Sequence, residues 1–251
     1  MLAAGRTRIS QIFHTMLKAS GRFIIPDLCV ACENSVDQIG LCNDCWPTLQ
    51  LITDNYCRQC GYLFEHRSPL DRCGECLRDP PHFDDAIAAA RYSGVMKDMM
   101  IALKHADRQD IAPVLANMMA PRMISVLKEA DFILPLPLHQ KRFLKRRFNQ
   151  SAELARHVMR ILDIPIDKLN TRILIRHKST APQGHKTRSQ RISSMRGAFQ
   201  VPEDQREIIK SKHIVIIDDV LTTGASMSSA AQCLKRNGAK RVSACVAARV
   251  C

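Results

Sequence analysis

From residue 83 onward, short apolar runs alternate with stretches whose apolar positions recur roughly every three or four residues. The runs Ala86 to Tyr92, Phe132 to Leu136, Thr171 to Ile175, Ile214 to Ile217 and Arg241 to Ala248 predict strands. Helical spacing predicts helices over Val95 to His105, Ile111 to Ala130, Asn149 to Leu162 and Ala225 to Asn237, with Pro121 expected to interrupt the second. Gly238 stands where a helix-ending residue belongs. Strands alternating with helices imply an α/β domain over residues 83–251, with a mainly parallel, doubly wound sheet that binds ligands at the carboxyl ends of its strands. At the other end of the chain Ile9, Ile12, Phe13, Met16 and Leu17 recur at helical spacing among Arg6, Arg8 and Lys18. They predict a short basic amphipathic helix within residues 1–26, expected to dock on the same chain, although a transit peptide would share this composition.

Composition narrows the class. The chain has 251 residues, 46% of them hydrophobic, which is ordinary globular composition and excludes disorder throughout. No apolar run approaches the roughly 18 residues of a membrane span. Gln11, His14 and Lys18 break the apolar segment that a secretory signal needs, so a cytoplasmic protein is expected. With 37 Lys and Arg against 24 Asp and Glu, the formal charge is +13, and an anionic partner is expected.

The cysteines divide the chain. Eight of the eleven form four C-x-x-C pairs, Cys29/Cys32, Cys42/Cys45, Cys57/Cys60 and Cys73/Cys76. Two such turns can aim four sulfurs at one tetrahedral zinc, and no His or carboxylate suggests an open catalytic position, so two structural zincs are expected in a small module over residues 27–80. Sequential pairing is the simplest assignment; spacing alone leaves crossed pairing open. Each centre carries a net charge of about −2, and metal binding supplies folding energy that so short a segment cannot draw from a core. Trp46, Tyr56, Tyr62 and Phe64 lie among the ligands, where they can stack bases or pack the module, packing being the expectation. Cys233 and Cys245 are expected as small core residues, and residues 77–85, with Pro80 and Pro81, as a linker.

Among ten glycines none stands in a G-x-G arrangement, which excludes the dinucleotide fingerprint, and the G-x-x-x-x-G-K-[ST] phosphate loop is missing as well. The informative stretch runs from Ile214 to Ser226, reading Ile-Val-Ile-Ile-Asp-Asp-Val-Leu-Thr-Thr-Gly-Ala-Ser. A buried strand ends in two carboxylates, and Thr222, Thr223, Gly224, Ala225 and Ser226 then lead into a helix. Small side chains and a helix start suit a phosphate. Like charges repel, so Asp218 and Asp219 are expected to face hydroxyls or a metal instead. A sugar phosphate satisfies both halves.

This stretch closely resembles the phosphoribosyl pyrophosphate (PRPP) loop of type I phosphoribosyltransferases. The resemblance implies that Asp218 and Asp219, the candidate catalytic pair, contact the ribose 2′ and 3′ hydroxyls. It implies that Thr222 through Ser226 hold the 5′-phosphate, with magnesium brought largely by the pyrophosphate. In order along the chain, the four C-x-x-C pairs, Leu103-Lys104-His105, Pro135-Leu136-Pro137-Leu138, Arg147-Phe148-Asn149-Gln150 and this loop resemble the ComF family of competence-associated proteins, which combine a double zinc ribbon with a phosphoribosyltransferase-like domain. By that resemblance Arg146, Arg147, Asn149 and Gln150 lie on the pyrophosphate side, with Arg147 where the family has glycine. Charge supports an anion independently: Lys141, Arg142, Lys145, Arg146 and Arg147 crowd an acid-free stretch. The acid-free residues 168–202 suit a flexible loop over the site, with Gln183, Lys186, Arg188, Gln190 and Arg191 as its candidates.

Two functions are therefore expected. One is PRPP binding in a ComF-type protein that handles single-stranded DNA, with the basic stretches and the zinc module tracking its backbone. The other is an active phosphoribosyltransferase with an acceptor that the sequence does not name. Protein partners and oligomeric state are not legible.

Overall fold

The computed structural model describes residues 26–66, 70–105, 108–139, 143–144, 148–177, 195 and 197–251. The expected N-terminal helix, Arg146, Arg147 and the flexible-loop candidates Gln183, Lys186, Arg188, Gln190 and Arg191 lie outside those residues. The chain divides into two compact units, Met1–Thr48 and Leu49–Cys251.

In the first unit β1 (Asp27–Leu28) pairs antiparallel with β2 (Ser35–Val36), closing a turn in which Glu33 takes a left-handed conformation at φ 63°. A second turn follows Cys42, with Trp46 N–H donating to the Cys42 carbonyl at 3.0 Å and Thr48 Oγ1 to that of Cys45 at 2.7 Å. Each C-x-x-C pair thus sits on a hydrogen-bonded turn, which points its two sulfurs the same way. Trp46 is 51% exposed and does not fill a core.

The second unit is built on a parallel sheet in the order β3 (Asp85–Arg91), β8 (Arg241–Arg249), β7 (His213–Leu221), β4 (Phe132–Pro135). The central strands are buried on both sides, as parallel strands covered by helices must be. Ile214, Ile216, Val242, Ala244 and Val246 meet Ala225, Met227, Ala230, Ala231 and Leu234 of α5 (Ala225–Arg236) in one core cluster. The alternate positions Val215, Ile217 and Cys245 face the other side, where α3 (Ile111–Glu129) packs on β3 and β8 and α4 (Gln150–Ile161) on β7 and β4. The expected α/β, mainly parallel, doubly wound sheet is present.

Four expectations are corrected. Pro121 does not interrupt α3, which runs unbroken through it. Pro121 and Asn117, whose carbonyl loses its partner, both lie on the exposed face, where water can take that carbonyl. The strand expected over Thr171 to Ile175 shrinks to β5 (Ile175–Arg176), which pairs with β6 (Phe199–Gln200) outside the main sheet. β7 continues past Ile217 to Leu221, because Val246 to Arg249 of β8 run alongside it. Finally, residues 77–85 are no free linker. Gly74–Arg78 forms the short helix α1, His82 N–H donates to Ser228 Oγ at 3.0 Å, and Asp84 pairs with Lys235 at 2.6 Å and accepts from Val242 N–H at 2.8 Å.

The second cysteine-rich segment is part of this unit. Leu51 bridges Ala90 antiparallel, and Arg91 N–H donates to the Gln50 carbonyl at 2.8 Å, covering the β3 edge. Arg122 of α3 donates to the Ala88 carbonyl at 3.1 Å and the Thr53 carbonyl at 2.9 Å, and stacks on the Tyr56 ring at 5.1 Å. Ile52, Cys57, Cys60 and Cys76 belong to the same core cluster as Phe83, Ala86 and α5. Tyr56, Tyr62 and Phe64 pack against it.

Candidate functional site

The four β-branched residues Ile214 to Ile217 drive β7 through the centre of the sheet and deliver Asp218 and Asp219 to its carboxyl end. Asp218 Oδ1 accepts from Ser151 Oγ at 2.8 Å and from Asp219 N–H at 2.9 Å; Asp219 Oδ1 accepts from Val220 N–H at 2.7 Å. Burial pushes the Asp218 carboxyl up to about 8; the Asp219 charge adds to this, while the bond from Ser151 opposes it. Tyr92 sits close by at the end of β3, raised first by burial and then by the charges of Asp219 and Asp98. The pair is therefore electrostatically tense, and hydroxyl donors or a cation would relieve it.

Ser151 reaches Asp218 because of how α4 begins. Asn149 is extended at φ −104°, ψ 109°, and its Oδ1 accepts from Ser151 N–H at 3.1 Å while its Nδ2 donates to the Leu136 carbonyl at 3.2 Å. This ties the helix start to the end of β4. Ser151 thus contacts the acidic pair, Asn149 fixes the helix start that carries it, and Gln150 is buried between them in the chain.

After Leu221 the chain turns through Thr222 and Thr223 to Gly224, whose φ of 76° is left-handed and suits glycine. Gly224 caps α5; Ser228 N–H bonds back to its carbonyl at 2.7 Å, and Thr223 Oγ1 receives Ala225 N–H at 3.5 Å. No acid lies in the first turn of α5. Thr222, Thr223, Gly224 and Ala225 line one cavity at the start of α5, where backbone donors and the positive end of a helix can hold a phosphate; Ser226 is not in its wall. Arg249, at the end of β8, donates from Nη1 to the carbonyls of Leu221 at 3.1 Å and Thr222 at 2.6 Å. A cavity of about 840 Å³ adjoins the loop, lined by Thr223, Gly224, Ser228, Gln232, His82 and Arg78 among others; Asp218 and Asp219 are not in its wall.

The cysteines gather as two tetrads in sequential pairing, Cys29, Cys32, Cys42, Cys45 and Cys57, Cys60, Cys73, Cys76, with all sulfurs of each set within 4.8 Å of one another. Cys32 and Cys42 Sγ lie 3.6 Å apart and Cys60 and Cys73 Sγ 3.7 Å. Four sulfurs about 2.3 Å from a tetrahedral zinc would be about 3.8 Å apart, so the donor sets fit zinc. The sulfurs of the second tetrad act on one another. The hydrogen bond with Cys60 holds the Cys57 thiol down to about 4, and the same pairing pushes Cys60 upward. A divalent cation removes that conflict by ligating all four as thiolates.

Two residues of the site escaped the sequence. Ser151 had no marking beyond its position after Asn149-Gln150, and only packing reveals its contact with Asp218. Arg249 carried a signal that was available, a charged residue closing the otherwise apolar run Val242 to Ala248.

Residues 149–250 match the phosphoribosyl transferase domain family, and residues 21–77 match the double zinc ribbon domain family. A DNA utilization protein YhgH of Escherichia coli (strain K12) is 31% identical over 226 residues, 87% of this chain and 95% of that protein. The competence protein F of Haemophilus influenzae is 26% identical over 221 residues, 85% of this chain and 93% of that protein. The competence protein ComFC of Bacillus subtilis is 26% identical over 205 residues, 79% of each. A double zinc ribbon and a phosphoribosyl transferase domain in one chain, aligned with these relatives over most of its length, place the protein in the ComF family.

Proposed function

We propose that the protein binds PRPP with magnesium at the end of β7 and serves in handling imported single-stranded DNA. The observation that carries the PRPP reading is the sequence of groups at one sheet end: an acid pair with Asp218 oriented by Ser151, followed at once by the left-handed Gly224 and the open start of α5. In this reading Asp218 and Asp219 accept hydrogen bonds from the ribose 2′ and 3′ hydroxyls. Thr222 to Ser226 donate to the 5′-phosphate through backbone and hydroxyl groups. Asn149 and Gln150 flank the pyrophosphate, with Arg146 and Arg147 as its cationic neighbours and Gln183, Lys186, Arg188, Gln190 and Arg191 as the covering loop. Magnesium, when bound, neutralises charge on the pyrophosphate, and carboxylate and hydroxyl oxygens are the hard donors that suit it.

The DNA reading is supported by the names of the relatives, one a DNA utilization protein and two competence proteins, and by the +13 charge. A second reading, transfer of the phosphoribosyl group to an acceptor, is supported by the intact loop. Separation of pyrophosphate from C1 develops positive charge on the ribose, which in this reading the Asp218 and Asp219 carboxylates stabilise. Structural zinc in both tetrads and a cytoplasmic location, where eleven cysteines stay reduced, belong to both readings.

The test is calorimetry with PRPP and magnesium alongside binding of short single-stranded oligonucleotides. Saturable heat with PRPP supports the site; its absence while DNA still binds would leave the DNA function without the sugar phosphate. Release of pyrophosphate with a nucleobase or amine acceptor separates transfer from binding.

A further inference from the structure

Arg249 lies at the junction of two parts of the second unit. It is only 9% exposed, yet it carries a permanent charge. Its Nε donates to the Cys60 carbonyl at 2.8 Å, and Nη2 lies 3.9 Å from Cys60 Sγ. Its Nη1 donates to the carbonyls of Leu221 and Thr222, where β7 turns into the phosphate loop, and to that of Val250. The guanidinium also stands over the Tyr62 ring at 5.9 Å. One side chain therefore grips the backbone of a tetrad cysteine and the backbone that opens the phosphate loop.

The energetics point the same way. A buried guanidinium needs acceptors for its donors and an opposite charge nearby. The carbonyls take up Nε and Nη1 but supply no formal negative charge, and Nη2 faces Cys60 Sγ. Four thiolates around a divalent cation carry a net charge of about −2, and that charge would lie beside Nη2. Metal in this tetrad would then fix Arg249, and Arg249 would fix the carbonyls of Leu221 and Thr222. These contacts of Arg249, with Cys60, Tyr62, Leu221, Thr222 and Val250, all lie within the unit Leu49–Cys251, which holds the second tetrad.

We propose that Arg249 is a positioning residue that couples the second four-cysteine site to the phosphate loop, so that metal at Cys57, Cys60, Cys73 and Cys76 sets the loop's affinity for a phosphorylated ribose while metal at Cys29, Cys32, Cys42 and Cys45 does not. The inference rests on the PRPP reading of the loop.

The experiment compares the full-length wild type with Arg249→Met, Cys73→Ala and Cys32→Ala. Its readouts are zinc content, PRPP titration with magnesium, and hydrogen exchange at the amides of residues 221–224. In Arg249→Met, zinc content should match the wild type while PRPP affinity falls about tenfold, the lower range for losing a group that orients a site, with faster exchange confined to those amides. Cys73→Ala should lose one zinc and show the same loss of affinity; Cys32→Ala should lose one zinc and bind PRPP as the wild type does. Unchanged affinity and exchange in both Arg249→Met and Cys73→Ala would overturn the coupling, as would faster exchange spread over the whole sheet. If Arg249→Met does not fold, the contrast between the two cysteine variants decides, and equal PRPP affinity in both overturns the proposal. A wild type that does not bind PRPP refutes the reading of the loop instead, and the exchange measurements then judge the coupling alone.

Discussion

Removing the Ser151 hydroxyl tests the electrostatics of the acid pair directly. Ser151 is 2% exposed, and its Oγ gives Asp218 Oδ1 a 2.8 Å hydrogen bond that stabilises the ionised carboxylate. A buried hydrogen bond to a charged group is worth roughly 1.5–3 kcal/mol, and about 1.4 kcal/mol corresponds to one pKa unit, so Ser151→Ala should raise the Asp218 pKa by about one to two units. Burial already holds that carboxyl at about 8 in the wild type. Ribose hydroxyls donate to the ionised form, so affinity for PRPP should rise with pH through the Asp218 pKa, and the variant should need a higher pH for the same affinity. Near neutrality the deficit is roughly tenfold to a hundredfold, the same free energy read as a binding ratio. The substitution leaves the α4 cap in place, because Asn149 Oδ1 contacts the backbone N–H of Ser151 and not its side chain. Calorimetric titration with PRPP and magnesium at a series of pH values, in wild type and variant side by side, cancels the ligand's own titration in the ratio. Superimposed pH profiles, or a shift to lower pH, would refute the reasoning.

Four further outcomes are expected. Asp218→Asn should make the empty protein more stable at neutral and alkaline pH: a carboxyl whose folded pKa is raised favours folding below its unfolded value and loses that stability as pH rises towards about 8, so wild-type thermal midpoints should fall through this window relative to the variant's. Gly224→Ala forces a side chain onto a φ of 76° and should cost about 1 kcal/mol in denaturant unfolding and weaken PRPP binding more than it weakens folding. Zinc analysis should find one metal per tetrad, and Cys57→Ser should destabilise the sheet unit, whose core it shares with Phe83 and Ala86, whereas Cys29→Ser should leave that unit's unfolding midpoint unchanged. Oligonucleotide affinity should fall linearly with salt on logarithmic axes, and a flat response would remove the electrostatic basis of DNA binding.

Much of the sheet was legible because its strands are nearly pure apolar runs: Ile214 to Ile217 and Val242 to Ala248 have no rival helical stripe. Local pattern misled where tertiary context decides. Pro121 is tolerated because its freed carbonyl faces outward, which no local rule reveals. Thr171 to Ile175 reads as a strand, yet the main sheet ends at β4, and only Ile175 and Arg176 find a partner, in β6. The turn from Thr222 to Ser226 could be read as a candidate phosphate site since its residues are adjacent in sequence and each has its own chemistry. The contacts of Ser151 and Arg249 could not be read, although the charge that closes the β8 run marks Arg249, because their partners Asp218 and Cys60 lie 67 and 189 positions away. Spacing left the pairing of the four cysteine turns open, and the sulfur positions resolve it as sequential.

Titration of the full chain with PRPP and magnesium, set beside the double variant Asp218→Asn, Asp219→Asn, bears most directly on the PRPP site. Saturable binding to the wild type, abolished in the double variant with both zincs retained, is the expected result. Wild-type protein that gives no heat, or a double variant that binds as tightly as the wild type, would contradict it; loss of zinc together with binding would show that the two aspartates hold the fold and not the ribose.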